Sequence, residues 1–161
     1  MTTTAIFPGT FDPLTLGHLD LLARSAGLFP RVLLAVARAH HKQTLFTLDE
    51  RLALAREACA AWPQIEVLTF DGLLTAFMRT HGASVVVRGV RGVVDFDYES
   101  QLAGMNRQLL PGMETVFLLP DDVQRHTSST LVREIAKLGG EVAHLVPPAV
   151  LAALHAKLGK A

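Results

Sequence analysis

The sequence predicts an α/β fold: one doubly wound domain over residues 1–161, with a five-stranded parallel sheet and helices on both faces. Two observations carry this. Short apolar runs rich in Val, Leu and Ile recur at 4–7, 32–37, 65–70, 84–88 and 115–119, and continuous apolar runs of that length suit strands covered on both faces, as in a parallel sheet. Between them lie stretches with helical spacing, so strand and helix alternate along the chain before a last extra helix. Such alternation argues for βαβ crossovers.

Each element has a local reason. The first apolar run leads through Pro8-Gly9-Thr10-Phe11-Asp12-Pro13 into an amphipathic stretch with Leu19, Leu22, Ala23 and Ala26 on one side. After the second run, Thr47-Leu48-Asp49-Glu50 forms a capping box, in which the Thr hydroxyl and the Glu carboxylate satisfy backbone donors reciprocally. That helix carries Leu48, Leu52, Ala55 and Cys59 on its apolar face, so Cys59 is expected to be a buried, inert thiol. A further helix is expected from about Asp95 to Leu109, with Tyr98, Leu102, Met105 and Leu109 along one face. Another starts near Ser128. Pro147-Pro148 opens the last helix, which ends before Gly159.

Composition narrows the function. Half the residues are hydrophobic and 19% are charged, which describes a globular chain. Fifteen basic residues balance fifteen acidic ones, so no nucleic-acid partner is expected, and any anion site has to be a local concentration of positive charge. A single cysteine fits a reducing compartment. With no basic leader ahead of an apolar stretch and no apolar run beyond strand length, the protein is expected to be cytoplasmic, without a signal peptide or membrane span. His40 and His41 are adjacent, a poor spacing for two ligands of one metal, and no Cys/His cluster occurs elsewhere. No metal held by protein side chains alone is therefore expected.

In a parallel sheet all strand ends share one edge, and ligands bind there near the switch point. That edge collects Pro8-Gly9-Thr10, then Arg38 to Lys42, then Phe70-Asp71-Gly72-Leu73, then Arg88-Gly89-Val90-Arg91-Gly92, and finally His126-Thr127-Ser128-Ser129-Thr130. Arg88 and Arg91, spaced by glycines, suit phosphate, because guanidinium binds it bidentately and Gly admits the backbone; solvated loop arginines are the plainer alternative. The hydroxyl run suits a phosphate at a helix N-terminus, or a simple cap. Thr15-Leu16-Gly17-His18 puts a histidine in the first turn of the first helix, where backbone N–H groups point outward and a bound phosphate is favoured. Asp95, Asp97 and Glu99 complement a helix dipole, and Glu99 has a ribose or a neighbouring cation within reach. His81, His144 and His155 read as structural or surface residues.

The T-x-G-H pattern at 15–18 resembles the signature of the nucleotidylyltransferase superfamily. The resemblance extends over nearly the whole chain to the bacterial phosphopantetheine adenylyltransferases. It is carried by Pro8 to Pro13, Gly17-His18, Lys42 with Phe46-Thr47-Leu48, Arg51, Arg88-Gly89 with Arg91, Asp95-Phe96, Tyr98-Glu99, Gln101-Leu102, Met105-Asn106 and Ser128-Ser129.

It implies a Rossmann-like enzyme that transfers AMP from ATP to 4'-phosphopantetheine, giving dephospho-coenzyme A and pyrophosphate, with Mg2+ accompanying ATP. It further implies a homohexamer, with coenzyme A as a feedback inhibitor. Carried over by position, Thr10 and His18 handle the reacting phosphates, Lys42 and Arg88 hold the acceptor, and Leu74 lines its channel. Thr10, Phe11, His18, Gly89, Val90, Arg91, Glu99 and residues 124–130 bind ATP. The segment Gln124-Arg125-His126-Thr127-Ser128-Ser129-Thr130 departs from the usual family pattern before the serines, so its individual contacts stay open. A nucleotidylyltransferase with another phosphorylated acceptor and a non-catalytic nucleotide sensor are the two alternatives.

Overall fold

The computed structural model describes residues 3–40 and 43–159. Five strands, β1 (Thr4–Gly9), β2 (Arg31–Ala37), β3 (Ile65–Phe70), β4 (Val85–Gly89) and β5 (Glu114–Leu118), form one parallel sheet in the order β3-β2-β1-β4-β5. The alternating helices are α1 (Leu16–Leu28), α2 (Leu48–Ala58), α3 (Leu74–His81), α4 (Val93–Leu109), α5 (Ser129–Lys137) and α6 (Pro148–Leu158). This is the doubly wound arrangement expected, with the reversal of strand order between β1 and β4.

The period of two along each strand sorts the core into two layers. Ala5 and Phe7, with Val32, Leu34 and Val36, pack against Leu21 and Leu22 of α1 and Leu52 and Ala55 of α2. Ile6, Leu33, Ala35 and Val86 point the other way, onto Met78 of α3 and Met113. A third cluster joins Phe46 to Val132 and Ala136 of α5 and Val150 and Leu154 of α6. Cys59 is buried, and burial pushes its thiol up to about 11. The helix boundaries follow their caps: Thr47 and Glu50 make the predicted box, and Ser128 caps α5 through the Leu131 N–H.

Four details differ from the expectation. β1 runs on through Pro8 to Gly9 instead of stopping at residue 7, and α4 opens at Val93 rather than Asp95. A short 3-10 turn at Asp122–Gln124, too short to leave a periodic pattern, precedes α5. The α4 residues Tyr98, Met105 and Leu109, spaced as a packing face, lie exposed alongside Val93, Val94 and Phe96.

The β1–β2 ladder continues to Gly9 and Val36, whereas the β1–β4 ladder ends at Ile6 and Val86. Pro8 has no N–H, and its carbonyl accepts from the Arg88 side chain of β4 (3.0 Å). In a strand the N and C=O of one residue face the same neighbour, so the missing donor falls on the β4 side. The ladder therefore stops and the strand ends part.

Gly89 sits at that parting under α1. A Cβ there would lie 2.4 Å from Leu21 Cδ1, and Leu21 is packed in the core. Gly89→Ala is expected to lower the unfolding free energy by about 1–3 kcal/mol in urea titration. An unchanged midpoint would mean that Leu21 yields freely.

Candidate active site

A cavity of about 410 Å³ opens where β1 and β4 part. Pro8, Gly9 and Thr10 form one side, Val87, Arg88 and Gly89 the other, and the start of α1 forms the floor with Thr15, Gly17 and His18. Gly9 is required by crowding: Phe11 takes a left-handed backbone (φ 51°) and turns its ring back, so that a Cβ on Gly9 would meet Phe11 Cζ at 2.8 Å. Phe11 then stands edge-on to the His18 ring, with centroids 5.1 Å apart.

His18 is held by its own helix. Thr15 is the N-cap of α1, its hydroxyl accepting from the His18 N–H, and the His18 ring closes the capping box where a Glu commonly stands. The Thr15 N–H donates to His18 Nδ1 at 3.0 Å. An Nδ1 that accepts carries no proton, so the ring proton belongs on Nε2. Burial, reinforced by the Arg91 and Arg88 charges, pulls the imidazole down to about 4. At neutral pH His18 is thus an uncharged ring whose Nε2–H is its donor.

The two arginines are oriented by carboxylates of α4. Glu99, buried, takes Arg88 Nε at 2.6 Å and Nη2 on its other oxygen, while Arg88 Nη1 reaches the Pro8 carbonyl. One N–H on each terminal nitrogen is then left for a phosphate, among the described residues. Glu99, for which the sequence offers both an ATP contact and a neighbouring cation, lines the cavity and pairs with Arg88. Arg91 binds Asp95 through its own N–H and Nε (3.1 Å for Nε), leaving its terminal nitrogens without a partner among the described residues.

Across the cavity, Gln124, Thr127, Ser128, Ser129 and Thr130 form the remaining wall. Each hydroxyl of the run has a protein partner. Thr127 donates to Gln124 Oε1 (3.2 Å), Ser128 caps α5, Ser129 donates to the Pro13 carbonyl (2.7 Å), and Thr130 accepts from Arg133 (3.4 Å). The run therefore builds the wall as well as facing it. Arg125 pairs with Asp122 and His126 is exposed, and neither lines the cavity; Val90 is buried, its N–H on the Leu118 carbonyl. Lys42 lies outside the described residues.

A second cavity of about 190 Å³ adjoins the first and shares Pro8, Gly9, Thr10, Arg88 and Glu99 with it. Its outer walls are mostly apolar, with Ala37, Phe70, Leu74, Leu102 and Ala103, and Asn106 and Thr115 add polar groups. Leu102 reads from its spacing as part of the α4 apolar face and Asn106 only as a matching letter of the resemblance, because nothing in a helical repeat says which face meets a neighbouring strand end. Among the described residues no three His, Cys, Asp or Glu gather as metal ligands, and no helix is long and apolar enough to cross a membrane.

Residues 6–135 match the cytidylyltransferase-like family. The chain is 58% identical over 156 residues to the phosphopantetheine adenylyltransferase of Acidovorax sp. (strain JS42), covering 97% of this chain and 94% of the relative. It is 55% identical over 157 residues to that of Methylococcus capsulatus, covering 98% and 97%. In fold it is similar to a Vibrio parahaemolyticus protein assigned as a nicotinate-nucleotide adenylyltransferase, with a TM-score of 0.68 at 16% identity over 97% of this chain and 93% of that one.

The His18 ring is expected to titrate near 4 by NMR, with the Nε2–H tautomer throughout the neutral range. The unfolded chain binds this proton from about 6.5 downward and the folded chain only near 4, so His18 costs stability as pH falls through that window. In His18→Gln the unfolding free energy is expected to decline less between those pH values. A midpoint near 6.5 in the folded protein would contradict the assignment.

Proposed function

This chain belongs to the phosphopantetheine adenylyltransferases of the cytidylyltransferase-like family, and we propose how its residues carry out that reaction. The enzyme transfers AMP from ATP to 4'-phosphopantetheine, releasing pyrophosphate and forming dephospho-coenzyme A. The observation that carries the assignment of roles is the pair of adjoining cavities over the β1–β4 opening, with Thr10 and Arg88 on the wall they share. ATP takes the larger cavity, between Arg91 and the α5 N-terminus. The acceptor's arm takes the smaller, more apolar one along Leu74. Their phosphates then meet at Thr10 and Arg88.

The acceptor phosphate has a second pKa of about 6 and is largely ionised at pH 7, so no general base is needed. Reaction requires an oxygen of that phosphate in line with the α-phosphorus and the pyrophosphate leaving opposite, with donors aimed at the charge that develops. His18 donates its Nε2–H to the α-phosphate oxygens. Being neutral and already bonded at Nδ1, it keeps its proton through the transfer. Arg88, with Lys42, orients the nucleophile. Arg91 braces the triphosphate and its departing pyrophosphate, and Thr10 bonds both substrates. Phe11, Gly89 and Val90 shape the phosphate turn, while Gln124 and Thr127 to Thr130 bound the nucleotide, with Arg125 and His126 outside that wall.

Magnesium fits as an ion carried in on ATP. The carboxylates lining the cavity, Asp95 and Glu99, are both engaged with arginines, and Mg2+ is commonly held by substrate phosphates and water with little protein ligation. When bound it neutralises phosphate charge. Coenzyme A carries the same arm and an adenine nucleotide, so it suits both cavities at once as a feedback inhibitor. The exposed apolar residues Val93, Val94, Phe96, Tyr98 and Met105 of α4 support a homohexamer, since an apolar helix face of this extent calls for a protein partner. A cytoplasmic location goes with this metabolism.

Purified protein with magnesium-ATP is expected to release pyrophosphate with phosphopantetheine and not with nicotinamide mononucleotide or glycerol 3-phosphate. His18→Ala is expected to lower kcat about 10²–10³-fold, roughly 2.7–4 kcal/mol, with little change in ATP affinity. Release with another acceptor would overturn the acceptor assignment. Equal losses in ATP binding and turnover would remove His18 from the transfer step.

A further inference from the structure

Arg51, in the first turns of α2, is among the largest side chains fully buried in the protein, at 2% exposure. Among the described residues its guanidinium bonds only to main-chain carbonyls. Nη1 donates to Thr10 (2.8 Å) and Ala37 (2.8 Å), Nη2 to Arg38 (3.3 Å), and Nε to Phe46 (3.3 Å). These carbonyls belong to the residue after β1, the last residue of β2, the residue after it, and the residue before the α2 cap. The carboxylate acting on it is that of Asp12, which is itself occupied by the Leu45 and Phe46 N–H groups at 2.8 and 2.9 Å.

Burying a guanidinium is costly, and apolar packing of similar volume commonly stabilises as well or better. The placement therefore asks for a reason beyond stability. A planar fork with five donors can reach four carbonyls on separate segments at once, more than the three N–H groups of a lysine can satisfy. The segments it ties meet at the smaller cavity. Thr10 and Ala37 both line it, Thr10 on the wall shared with the larger one, and Arg38 continues the β2 end. The nucleotide wall has ties of its own to the β1–α1 loop: Ser129 bonds Pro13, and Arg133 bonds the Asp12 carbonyl.

We propose that Arg51 is a positioning residue for the acceptor half of the site, holding the ends of β1 and β2 in the register at which phosphopantetheine meets Thr10 and the wall at Ala37. It touches no substrate. The inference rests on the acceptor reading above and adds to it the device that sets the acceptor's geometry.

The test is steady-state kinetics of the full chain with ATP and phosphopantetheine varied independently, for wild type, Arg51→Lys and Arg51→Met. Lys keeps the charge, but as a point donor it cannot span the carbonyls. Both variants are expected to raise the KM for phosphopantetheine by about 10- to 100-fold, the range seen when a supporting shell or a near-attack geometry is lost. The KM for ATP is expected to stay within about threefold of wild type, a shift under 1 kcal/mol. Circular dichroism and thermal melts check folding, and Arg51→Lys carries the test if Arg51→Met does not fold. A purely structural role would lower kcat through the active fraction and leave both KM values alone, which would overturn the proposal. So would equal rises in the two KM values, or a Lys variant with wild-type kinetics. A wild-type enzyme that ignores phosphopantetheine would instead overturn the acceptor reading, and this inference with it.

Discussion

Pairing between β1 and β4 ends at Ile6 and Val86 because Pro8 has no N–H for the next rung, and the carbonyl left behind is taken by the Arg88 side chain. Proline is normally excluded from a central strand because it breaks a ladder. Here the break is the site. It lets the strand ends part at the point where the sheet reverses direction, which is where open α/β sheets bind ligands. It also frees a carbonyl that aims Arg88. Glu99 then fixes the same guanidinium from α4, so a backbone defect becomes an oriented cation between two cavities.

The electrostatics follow from that placement. The chain carries no formal net charge, yet the opening holds Arg88, Arg91 and the capped start of α1. A half-buried histidine among two arginines cannot hold a proton easily, and the Thr15 N–H decides which nitrogen keeps one. In the proposed reaction this yields a directional neutral donor rather than an acid. Developing charge on the α-phosphate is met by groups already in place, which is where preorganised dipoles contribute most. Glu99 and Asp95 hold the arginines against mutual repulsion until phosphate arrives.

Much of this was legible in the residues. The apolar runs located all five strands, and the Thr47 and Ser128 caps located helix starts, because both signals are local. The gathering of Thr10, His18, Arg88 and Arg91 followed once the sheet was read as parallel, since every strand end then falls on one edge. What stayed hidden depends on contacts across the chain. Arg51 is an ordinary letter on a helix until three segments converge on it. Glu99 offered two partners, and only the approach of α4 to β4 selects Arg88. The hydroxyls of 127–130 read as a phosphate site or a helix cap, because the bonds of Thr127, Ser129 and Thr130 to Gln124, Pro13 and Arg133 are not visible in sequence order. The spacing of Tyr98, Met105 and Leu109 revealed a face but not that this chain leaves it exposed.

The central claim is that the two phosphates react directly, held by preoriented donors, with no covalent stage on the protein. The most direct measurement is the stereochemical course at phosphorus, using ATP made chiral at the α-position with oxygen isotopes. A single in-line displacement predicts that dephospho-coenzyme A forms with inversion. Retention would require two displacements and an adenylylated residue, and would contradict the account.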